Sequence, residues 1–594
     1  MCGIAGQYQF GAQDASPADL ERVSLHQRSR GPDARGIFSI NNMALAHRRL
    51  KIFDLSERAA QPMVDHGLGL ALTFNGEIYN FLELRRELEG LGYVFVSDSD
   101  TEVVLKAFHA WGKACIRRFN GMFAFAIWDW ETEKLVLARD RMGIKPLYYT
   151  KKADTFEFAS SLPALLQFKG IDTSIDRDAL YYYLTFHAVP EPLTLLAGIR
   201  KLPPATILTI DPDGTRHEET YWRLQINEER ADHTLTVKDW LAATEETLSK
   251  ATQRQLAADV PTGILLSGGL DSSLLVALAA QRNSADLKTF AIGFEEVNGQ
   301  SGDEFVYSDL VAEHFGTDHT QIFVPNTDLN EALADCVSAM SEPMVSHDNI
   351  GFYLLSHEVA KHVKVALSGQ GADEIFAGYH WFEKLEQEPP GPAQRSAQTI
   401  ADTVADRSYG EYKRLVSPHF HSNEHSGTFL ESLATANGSP HPIDNLLAYE
   451  STFAMANGPL SRVDNMTMAA GLEARVPFLD DKVVDLAASM PLGYKMADGG
   501  KAILKRLGRK LLPKAVVDRP KGYFPVPALN QVQGRTLSML RGVLSIDNIR
   551  KRGIFNASAV QNLLDNPLTQ LTPAGASKLW QVGLLEYWLQ RQGV

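Results

Sequence analysis

The run LSGGLDSS at residues 266–273 constrains the fold more than any other stretch of the chain. The apolar residues 262–265 before it have the length of a buried parallel strand, and residues 274–280 after it are typical of a helix. A strand, a glycine turn and a helix bring unpaired backbone N–H groups and the positive end of the helix to one place, which suits a phosphate group. Two glycines also let the backbone approach a ligand closely. The plainer interpretation of Ser-Gly-Gly is a tight turn.

The full string, with an acid and two hydroxyls where the helix begins, resembles the pyrophosphate-binding loop of enzymes that cleave ATP between its α and β phosphates. It is not a Walker A loop, because no Gly-Lys-Ser/Thr sequence closes it. The resemblance therefore implies an ATP site whose product is AMP.

A second glycine-rich loop follows later in the chain. Residues 288–294 and 363–367 predict further buried strands, and the second of these ends in SGQGADE at residues 368–374. Strands that alternate with helices favour a doubly wound parallel sheet, with ligands at the carboxyl ends of the strands. Asp271 and Asp373 then lie where two carboxylates could hold Mg²⁺ against a triphosphate. A single aspartate after a strand more often caps a helix, but a pair on two glycine loops favours the metal.

The composition bounds the other classes of function. A chain of 594 residues is too long for one core and predicts two to four domains. The net charge of −14 argues against a general nucleic-acid or membrane-surface binder, and leaves room for a local basic cleft. Cys2, Cys115 and Cys336 cannot form a disulfide framework, which fits a reducing compartment. With no signal peptide and no apolar run of about 18 residues, we predict a cytoplasmic protein.

Cys2 is informative because of its position. If Met1 is removed, the thiol and a free α-amino group lie on one residue, and an amine with an ordinary pKa of about 8 can act as a base for the thiol. The alternative is that a small residue was selected for efficient removal of Met1 and that the thiol is incidental.

Four strings follow Cys2 at intervals: RGPD at residues 30–33, AHRRL at 46–50, FNGEIYN at 74–80 and SDTE at 99–102. Together with the N-terminal Cys-Gly-Ile they resemble the class II glutamine amidotransferase domain. That resemblance implies an N-terminal-nucleophile hydrolase fold, an αββα sandwich in which two antiparallel sheets lie between layers of helices.

The resemblance also implies the roles of the glutamine-site residues. Cys2 would attack the side-chain amide of glutamine, and Arg49 would bind its α-carboxylate with a bidentate guanidinium. The remaining predicted residues are Asn75 and Gly76 for the oxyanion hole, and Glu77 and Asp100 for holding glutamine, with Asp100 at its ammonium. Without the resemblance, Arg49 would be read as a surface charge, and the Asn-Gly pair as a hairpin turn.

The remaining signals place the domain boundary. Residues 122–128 and 135–140 predict two buried strands joined by a polar turn. Pro203 and Pro204, followed by the turn DPDG at residues 211–214, are the clearest punctuation before the second domain. We therefore predict a glutaminase domain at residues 1–210 and a synthetase domain at residues 211–594.

The order of the motifs, over nearly the whole chain, resembles that of glutamine-hydrolysing asparagine synthetase and its relatives. Further matching strings lie at residues 464–466, 473–480, 501–504 and 519–523. The resemblance implies that ATP is a co-substrate, that Mg²⁺ is required, and that ammonia passes through an internal channel. The residues it assigns to ATP are Leu266, Ser267, Gly268, Gly269, Asp271, Ser272, Ile292, Ser368 and Gly369, and Lys501 would stabilise charge on the α-phosphate.

One departure concerns the acceptor. Asparagine synthetases carry glutamate in the middle of Ser-Gly-Glu-Gly, and here the residue is Gln370. Neighbouring strings resemble a subgroup that converts the α-carboxylate of N-acetylglutaminylglutamine, an osmoprotectant precursor, into the amide. We predict this acceptor, with aspartate as the alternative. Gln370 would then lie at the acceptor.

Two rivals remain: a β-lactam-type synthetase, whose members lack the N-terminal cysteine, and a regulatory protein that binds glutamine and ATP without catalysis. Residues 386–441 match nothing and predict helices with loose surface loops. The oligomeric state stays open, with a homodimer among the alternatives, and nothing indicates how the enzyme is regulated.

Overall fold

The computed structural model describes residues 2–11, 14–281, 286–296, 302–519, 532–573 and 575–594. Its N-terminal region contains two six-stranded antiparallel sheets, with strand orders β10-β8-β9-β1-β3-β2 and β12-β11-β7-β6-β5-β4. The strands are β1 (Gly3–Gln9), β2 (Ala34–Ile40), β3 (Met43–Arg49), β4 (Met63–Asp65), β5 (Leu70–Ile78), β6 (Gly121–Asp129), β7 (Lys134–Arg139), β8 (Tyr148–Lys151), β9 (Thr155–Ala159), β10 (Arg200–Lys201), β11 (Thr206–Ile210) and β12 (Arg216–Thr220). The helices of this region are α1 (Pro17–Leu25), α2 (Phe81–Gly90), α3 (Asp100–Trp111), α4 (Leu162–Leu165) and α5 (Arg177–Phe186).

Alternation along β6 shows why the two sheets stack. Phe123 and Phe125 point to the outer face, where they join the core beneath α2 and α3. Ala124, Ala126 and Trp128 point to the opposite face and pack in the core shared with the other sheet. Because successive side chains alternate between faces, one strand supplies both layers. The predicted αββα sandwich is confirmed.

The second of the two antiparallel sheets continues past the predicted domain boundary at residue 210. β11 and β12 lie on either side of that boundary and pair with each other in one antiparallel ladder. A polar segment with little regular structure then leads to α6 (Val237–Leu256), which begins with a capping box between Thr236 and Asp239. The exact boundary stays a prediction.

The second region is built on a five-stranded sheet in the order β15-β14-β13-β16-β17, and every neighbouring pair is parallel. Its strands are β13 (Thr262–Leu265), β14 (Lys288–Phe294), β15 (Asp318–Val324), β16 (Val365–Leu367) and β17 (Glu473–Arg475). The chain order reverses between β13 and β16, which is where a doubly wound sheet binds its ligands. This confirms the predicted parallel sheet and places both glycine loops at the reversal.

Helices surround this sheet and form the rest of the second region. They are α7 (Leu270–Ala280), α8 (Phe305–Phe315), α9 (Asn326–Ala339), α10 (Asp348–Val359), α11 (Ala372–Ile375), α12 (Ala393–Val404), α13 (Tyr409–Leu415), α14 (Ser426–Asn437), α15 (Pro442–Tyr449), α16 (Met455–Asn457), α17 (Pro459–Ala469), α18 (Asp481–Ser489), α19 (Gly493–Met496), α20 (Ala502–Leu511), α21 (Lys514–Val517), α22 (Gly534–Val543), α23 (Ile546–Arg552), α24 (Ala557–Asp565) and α25 (Lys578–Gln592). Residues 386–441 are helical over α12, α13 and α14, as predicted. Among the described residues, no helix combines the length and apolar character needed to cross a membrane.

Buried charges join the two regions. Arg30 donates two hydrogen bonds to the carboxylate of Asp464 on α17, at 2.8 and 3.2 Å. Lys145 lies 3.9 Å from the same carboxylate, and all three side chains are buried. Removing one partner would leave an uncompensated buried charge, at a cost of about 3–5 kcal/mol. These pairs therefore fix the position of α17 against the N-terminal region.

Candidate active sites

Cys2 lies immediately before β1, and continuing the β1–β3 register places it opposite Arg49. Its backbone N–H donates to Asn75 Oδ1 at 2.9 Å, which ties β1 of one sheet to β5 of the other. Burial raises the pKa of the Cys2 thiol, whereas the N–H of Leu50 and the charge of Arg49 lower it. The fold thus brings the predicted nucleophile together with two of its predicted partners.

Asn75 and Gly76 lie inside β5, so they do not form the hairpin turn that their sequence alone allows. Within the described residues, the buried Nδ2 of Asn75 has no hydrogen-bond partner. Leaving such a donor unpaired costs about 1–3 kcal/mol, and an oxyanion is a group that could satisfy it. Gly76 has a packing role as well, because a Cβ there would lie 2.2 Å from the carbonyl oxygen of Met122 on β6.

Glu77 and Asp100 form a buried acidic pair. Glu77 lies on the same face of β5 as Asn75, because side chains alternate along a strand, and Asp100 accepts the N–H of Ile78 at 2.9 Å. Burial raises the pKa of Asp100 to about 6. Burial and the charge of Asp100 raise the pKa of Glu77 well above its usual range, and the charge of Arg475 opposes that rise. The pair therefore favours a single negative charge, which is what a substrate ammonium would meet.

Arg49 is buried and is not the surface charge that its sequence context allows. Its guanidinium donates to the backbone carbonyls of Ser56 at 3.0 Å, Phe53 at 3.1 Å and Asp54 at 2.7 Å. These three acceptors hold the guanidinium in one orientation at the end of β3. Binding of the glutamine carboxylate by Arg49 stays a prediction.

Two arginines around this site received no role from the sequence. Arg30 donates to the carbonyl of Cys2 at 3.1 Å, in addition to its pair with Asp464. Arg475 lies 3.2 Å from Glu77. Both arginines fall in strings noted above, RGPD and EARVPFLD, but their carboxylate partners are 434 and 398 residues away in sequence. These two strings include both arginines, but they do not indicate which carboxylates the arginines contact.

The second site is a cavity of about 410 Å³ at the carboxyl ends of β13 and β16. Gly268 is not among the residues that line it: its φ is +69°, and a Cβ there would lie 2.6 Å from Tyr307 Cβ. It serves the turn rather than the surface of the cavity. The predicted residues that line the cavity are Leu266, Ser267, Gly269, Asp271, Ser272, Ile292, Ser368, Gly369, Gln370, Asp373 and Lys501.

Asp271 and Asp373 converge on Lys501. The Nζ atom of Lys501 lies 2.6 Å from Asp271 Oδ2 and 2.8 Å from Asp373 Oδ1. Burial alone would lower the pKa of Lys501, but the two carboxylates raise it above its usual range. Neither aspartate caps a helix, since Gly269 and Gly371 hold the N-cap positions of α7 and α11. The two carboxylates therefore face one point that a cation can occupy.

Gly378 makes this arrangement sterically feasible. A Cβ at this position would lie 2.1 Å from Asp373 Oδ1 and 2.3 Å from Lys501 Cε. Lys501 itself precedes α20 with a φ of +54°, in the left-handed region. The lack of a side chain at Gly378 therefore leaves room for the side chains of Asp373 and Lys501.

Arg462 on α17 organises the side of the cavity that contains Gln370. Its Nη2 donates to Gln370 Oε1 at 3.2 Å, and its Nη1 donates to Asp348 Oδ2 at 2.9 Å. A guanidinium has no acceptor, so it requires the oxygen of the Gln370 amide to face it. The NH₂ group of Gln370 then faces away from Arg462. Sequence reasoning assigned Gln370 to the acceptor but missed Arg462.

The matching string at residues 519–523 begins with Arg519, which also lines the cavity and lies 3.0 Å from Glu304. The other residues of that string, 520–523, lie outside the described residues.

Comparison with known proteins found a family for each of the two regions. Residues 1–222 match the family described as glutamine amidotransferase domain, and residues 243–590 match the family described as asparagine synthase. The chain is 31% identical to asparagine synthetase (glutamine-hydrolyzing) 1 of Bacillus subtilis strain 168, over 99% of this chain and 96% of that protein. It is 32% identical to asparagine synthetase (glutamine-hydrolyzing) 3 of the same organism, over 88% and 87%. Amidase chyE of Penicillium rubens is 25% identical over 97% and 96%.

The fold and these similarities define a ligase that takes nitrogen from glutamine, uses ATP and forms amides. The chain belongs to the glutamine-hydrolysing asparagine synthetase family.

Proposed function

We propose that the N-terminal site hydrolyses glutamine through a thioester on Cys2. The α-amine that Cys2 carries once Met1 is removed would act as the base for the thiol. The observation that supports this role is the unpaired Nδ2 of Asn75, on the same side chain that accepts the Cys2 N–H. The remaining proposed residues are Gly76 for the oxyanion, and Arg49, Glu77 and Asp100 for binding glutamine.

The second site would activate a carboxylate. An acceptor oxygen attacks the α-phosphate of ATP and pyrophosphate leaves, which gives an acyl-adenylate. Ammonia then adds to the acyl carbon, AMP leaves, and one proton is released as the amide forms. Lys501 would stabilise charge on the phosphate, and the position of its ammonium in the cavity between the two glycine loops supports this role.

Asp271 and Asp373 would hold Mg²⁺ in this site. Their carboxylates already face a single cation, the ammonium of Lys501, and hard oxygen anions are the ligands that Mg²⁺ prefers. The described residues contain no cluster of three or more metal-ligating side chains, so phosphate oxygens and water would complete the coordination. When bound, the ion would neutralise charge on the triphosphate.

We further propose that the acceptor carries no free ammonium group, as in N-acetylglutaminylglutamine. The carboxylate of Asp348 is already paired with Arg462, and the NH₂ of Gln370 faces away from Arg462. Both Arg462 and the Gln370 NH₂ are donors, so they suit a carbonyl or carboxylate oxygen and disfavour an α-ammonium. The Arg462–Gln370 hydrogen bond is the single observation that carries this choice.

Aspartate is the competing acceptor, because two of the relatives described above are named asparagine synthetases. A relative named an amidase matches over a similar share of the chain. Likeness along the whole chain therefore does not select among acceptors, and the decision rests on the cavity.

The test is to measure kcat/KM for aspartate and for N-acetylglutaminylglutamine, by pyrophosphate release with ammonium as the nitrogen source. We expect the wild type to prefer the dipeptide by about a hundredfold, the discrimination typical of a buried polar mismatch. Gln370→Glu should reduce that preference, because it adds an anion where an ammonium would lie. Gln253→Glu adds the same charge on α6, outside the cavity, and should not change the preference. Efficient asparagine formation by the wild type, without turnover of the dipeptide, would show that aspartate is the acceptor.

A further inference from the structure

Arg475 is fully buried and belongs to β17, the edge strand of the parallel sheet. Its Nη1 donates to the carbonyls of Gln255 at 2.8 Å and Ala257 at 2.7 Å, and its Nε donates to Glu473 at 2.6 Å. Its Nη2 reaches across the domain interface to Glu77 at 3.2 Å. The synthetase domain therefore fixes the guanidinium on two sides and presents the remaining side to the glutamine pocket.

Glu77 depends on this contact. Its side chain is buried, and within the described part of the chain no second basic side chain lies within ion-pair distance. A buried carboxyl without a cationic partner is strongly disfavoured in its charged form. The charge of Arg475, on the synthetase domain, is the largest of the influences that lower the pKa of Glu77.

We propose that Arg475 is a positioning residue of the glutamine pocket: it holds Glu77 in the geometry that binds glutamine, so tight glutamine binding requires the docked synthetase domain. This inference rests on the proposed role of Glu77 in glutamine binding. Arg475 acts through Glu77 and does not itself touch the reacting atoms.

The backbone of Arg475 extends the connection to the other site. Its carbonyl accepts the N–H of Ser368 at 2.8 Å, where the second glycine loop begins. Ser368 lines the ATP cavity. One residue thus contacts a nucleotide loop through its main chain and the glutamine pocket through its side chain.

The charged groups around Glu77 predict a pH effect as well. Asp100 faces it from α3, and Glu473 and Arg475 face it from β17. The charge of the amino terminus also acts on it, and the neighbouring Tyr79 lies against Arg475. Arg475 is the largest of the influences that oppose protonation of Glu77. Weakening its contact should move the loss of glutamine binding to higher pH.

Arg475→Lys tests the proposal. Lysine keeps the charge but cannot reproduce the fork that joins two carbonyls, Glu473 and Glu77. We expect KM for glutamine to rise about tenfold, within the usual range of coupling between sites. The ratio of glutamine-dependent to ammonium-dependent kcat/KM should fall by a similar factor, and the acid limb of KM should move to higher pH. Combining Arg475→Lys with Glu77→Gln should add little to the effect of Glu77→Gln alone.

Arg141→Lys is the matched control. Arg141 also crosses the interface, with its Nε 3.2 Å from Asp481, and its other contacts are Asp485 and Trp222. The proposal is overturned if Arg475→Lys behaves like Arg141→Lys, or if glutamine-dependent and ammonium-dependent synthesis fall equally. Cys2→Ala separates this failure from that of the proposed function: if Cys2→Ala still hydrolyses glutamine, the assignment of the pocket itself is wrong.

Discussion

The proposed glutamine pocket around Cys2, Asn75, Glu77 and Asp100 and the proposed ATP cavity at the carboxyl ends of β13 and β16 arrange their charges differently. In the pocket, Glu77 accepts a hydrogen bond at 3.2 Å from Arg475, which comes from the other domain and lies 398 residues away in sequence. In the cavity, Lys501 is balanced by Asp271 and Asp373, and all three belong to the domain that contains the cavity. The pocket is therefore complete only when the two domains are docked, whereas the cavity is complete within one.

Because of this difference, the residues proposed to react and the residue proposed to position them can belong to different domains. The residues proposed to react with each substrate lie in one domain for each site, so the half-reactions can be removed one at a time. Arg475, which we propose positions Glu77, belongs to the synthetase domain. Its substitution should therefore change glutamine hydrolysis in the N-terminal domain. The predictions below test that separation.

The largest effect is expected for Cys2→Ala. Loss of the nucleophile should lower glutamine hydrolysis by about a thousandfold or more, while synthesis from ammonium continues because the cavity is intact. Glutamate and AMP release, measured separately, check this. Cys115→Ala removes another buried thiol of the same domain and should leave both activities. A folded Cys2→Ala enzyme that has lost ammonium-dependent synthesis as well would contradict the separation.

A smaller effect is expected for Asp373→Asn. Losing one of the two carboxylates that face the cation should lower AMP formation by about a hundredfold and weaken its dependence on Mg²⁺, while glutamine hydrolysis continues. Asp318→Asn is the control, because Asp318 also pairs with a lysine, Lys288 at 2.7 Å, but at an exposed position. Normal adenylation at normal Mg²⁺ dependence would exclude Asp373 as a metal ligand.

The smallest effect concerns pH and the pocket alone. Burial raises the pKa of Asp100 to about 6, and in its proposed role only the ionised form would balance the ammonium of glutamine. As pH falls from 7 to 5, Asp100 becomes protonated, so KM for glutamine should rise about tenfold. With ammonium as the nitrogen source, KM for ATP should not show the same rise between pH 7 and pH 5. In Asp100→Asn, KM should be high at every pH; a sloping profile in that variant would assign the titration to another group.

The sequence predicted the elements whose signals are local. The strand 288–294 and the loop after residues 262–265 are where their patterns place them, because apolar runs and glycine turns act over a few residues. The strings around Cys2, Asp271 and Asp373 likewise carry their own chemistry, whereas Lys501 is assigned only by the family resemblance.

Other residues could not be predicted, because their partners are distant in sequence. Arg30 and Asp464 are 434 residues apart, and only the folded interface brings them together. Arg462 gave no signal, since an arginine on a helix is most often a solvated charge. Local patterns identify reactive groups, but the groups that hold them in place become visible only in the fold.

Gly378 has a consequence for mutational surveys of this enzyme. It carries no functional group, yet any side chain there would enter the space of Asp373 and Lys501. In a saturation library scored by activity, this position should tolerate as few substitutions as Lys501 itself. Such a profile would reflect steric exclusion at Gly378. Intolerance to substitution in this loop would therefore not by itself identify a residue that takes part in the reaction.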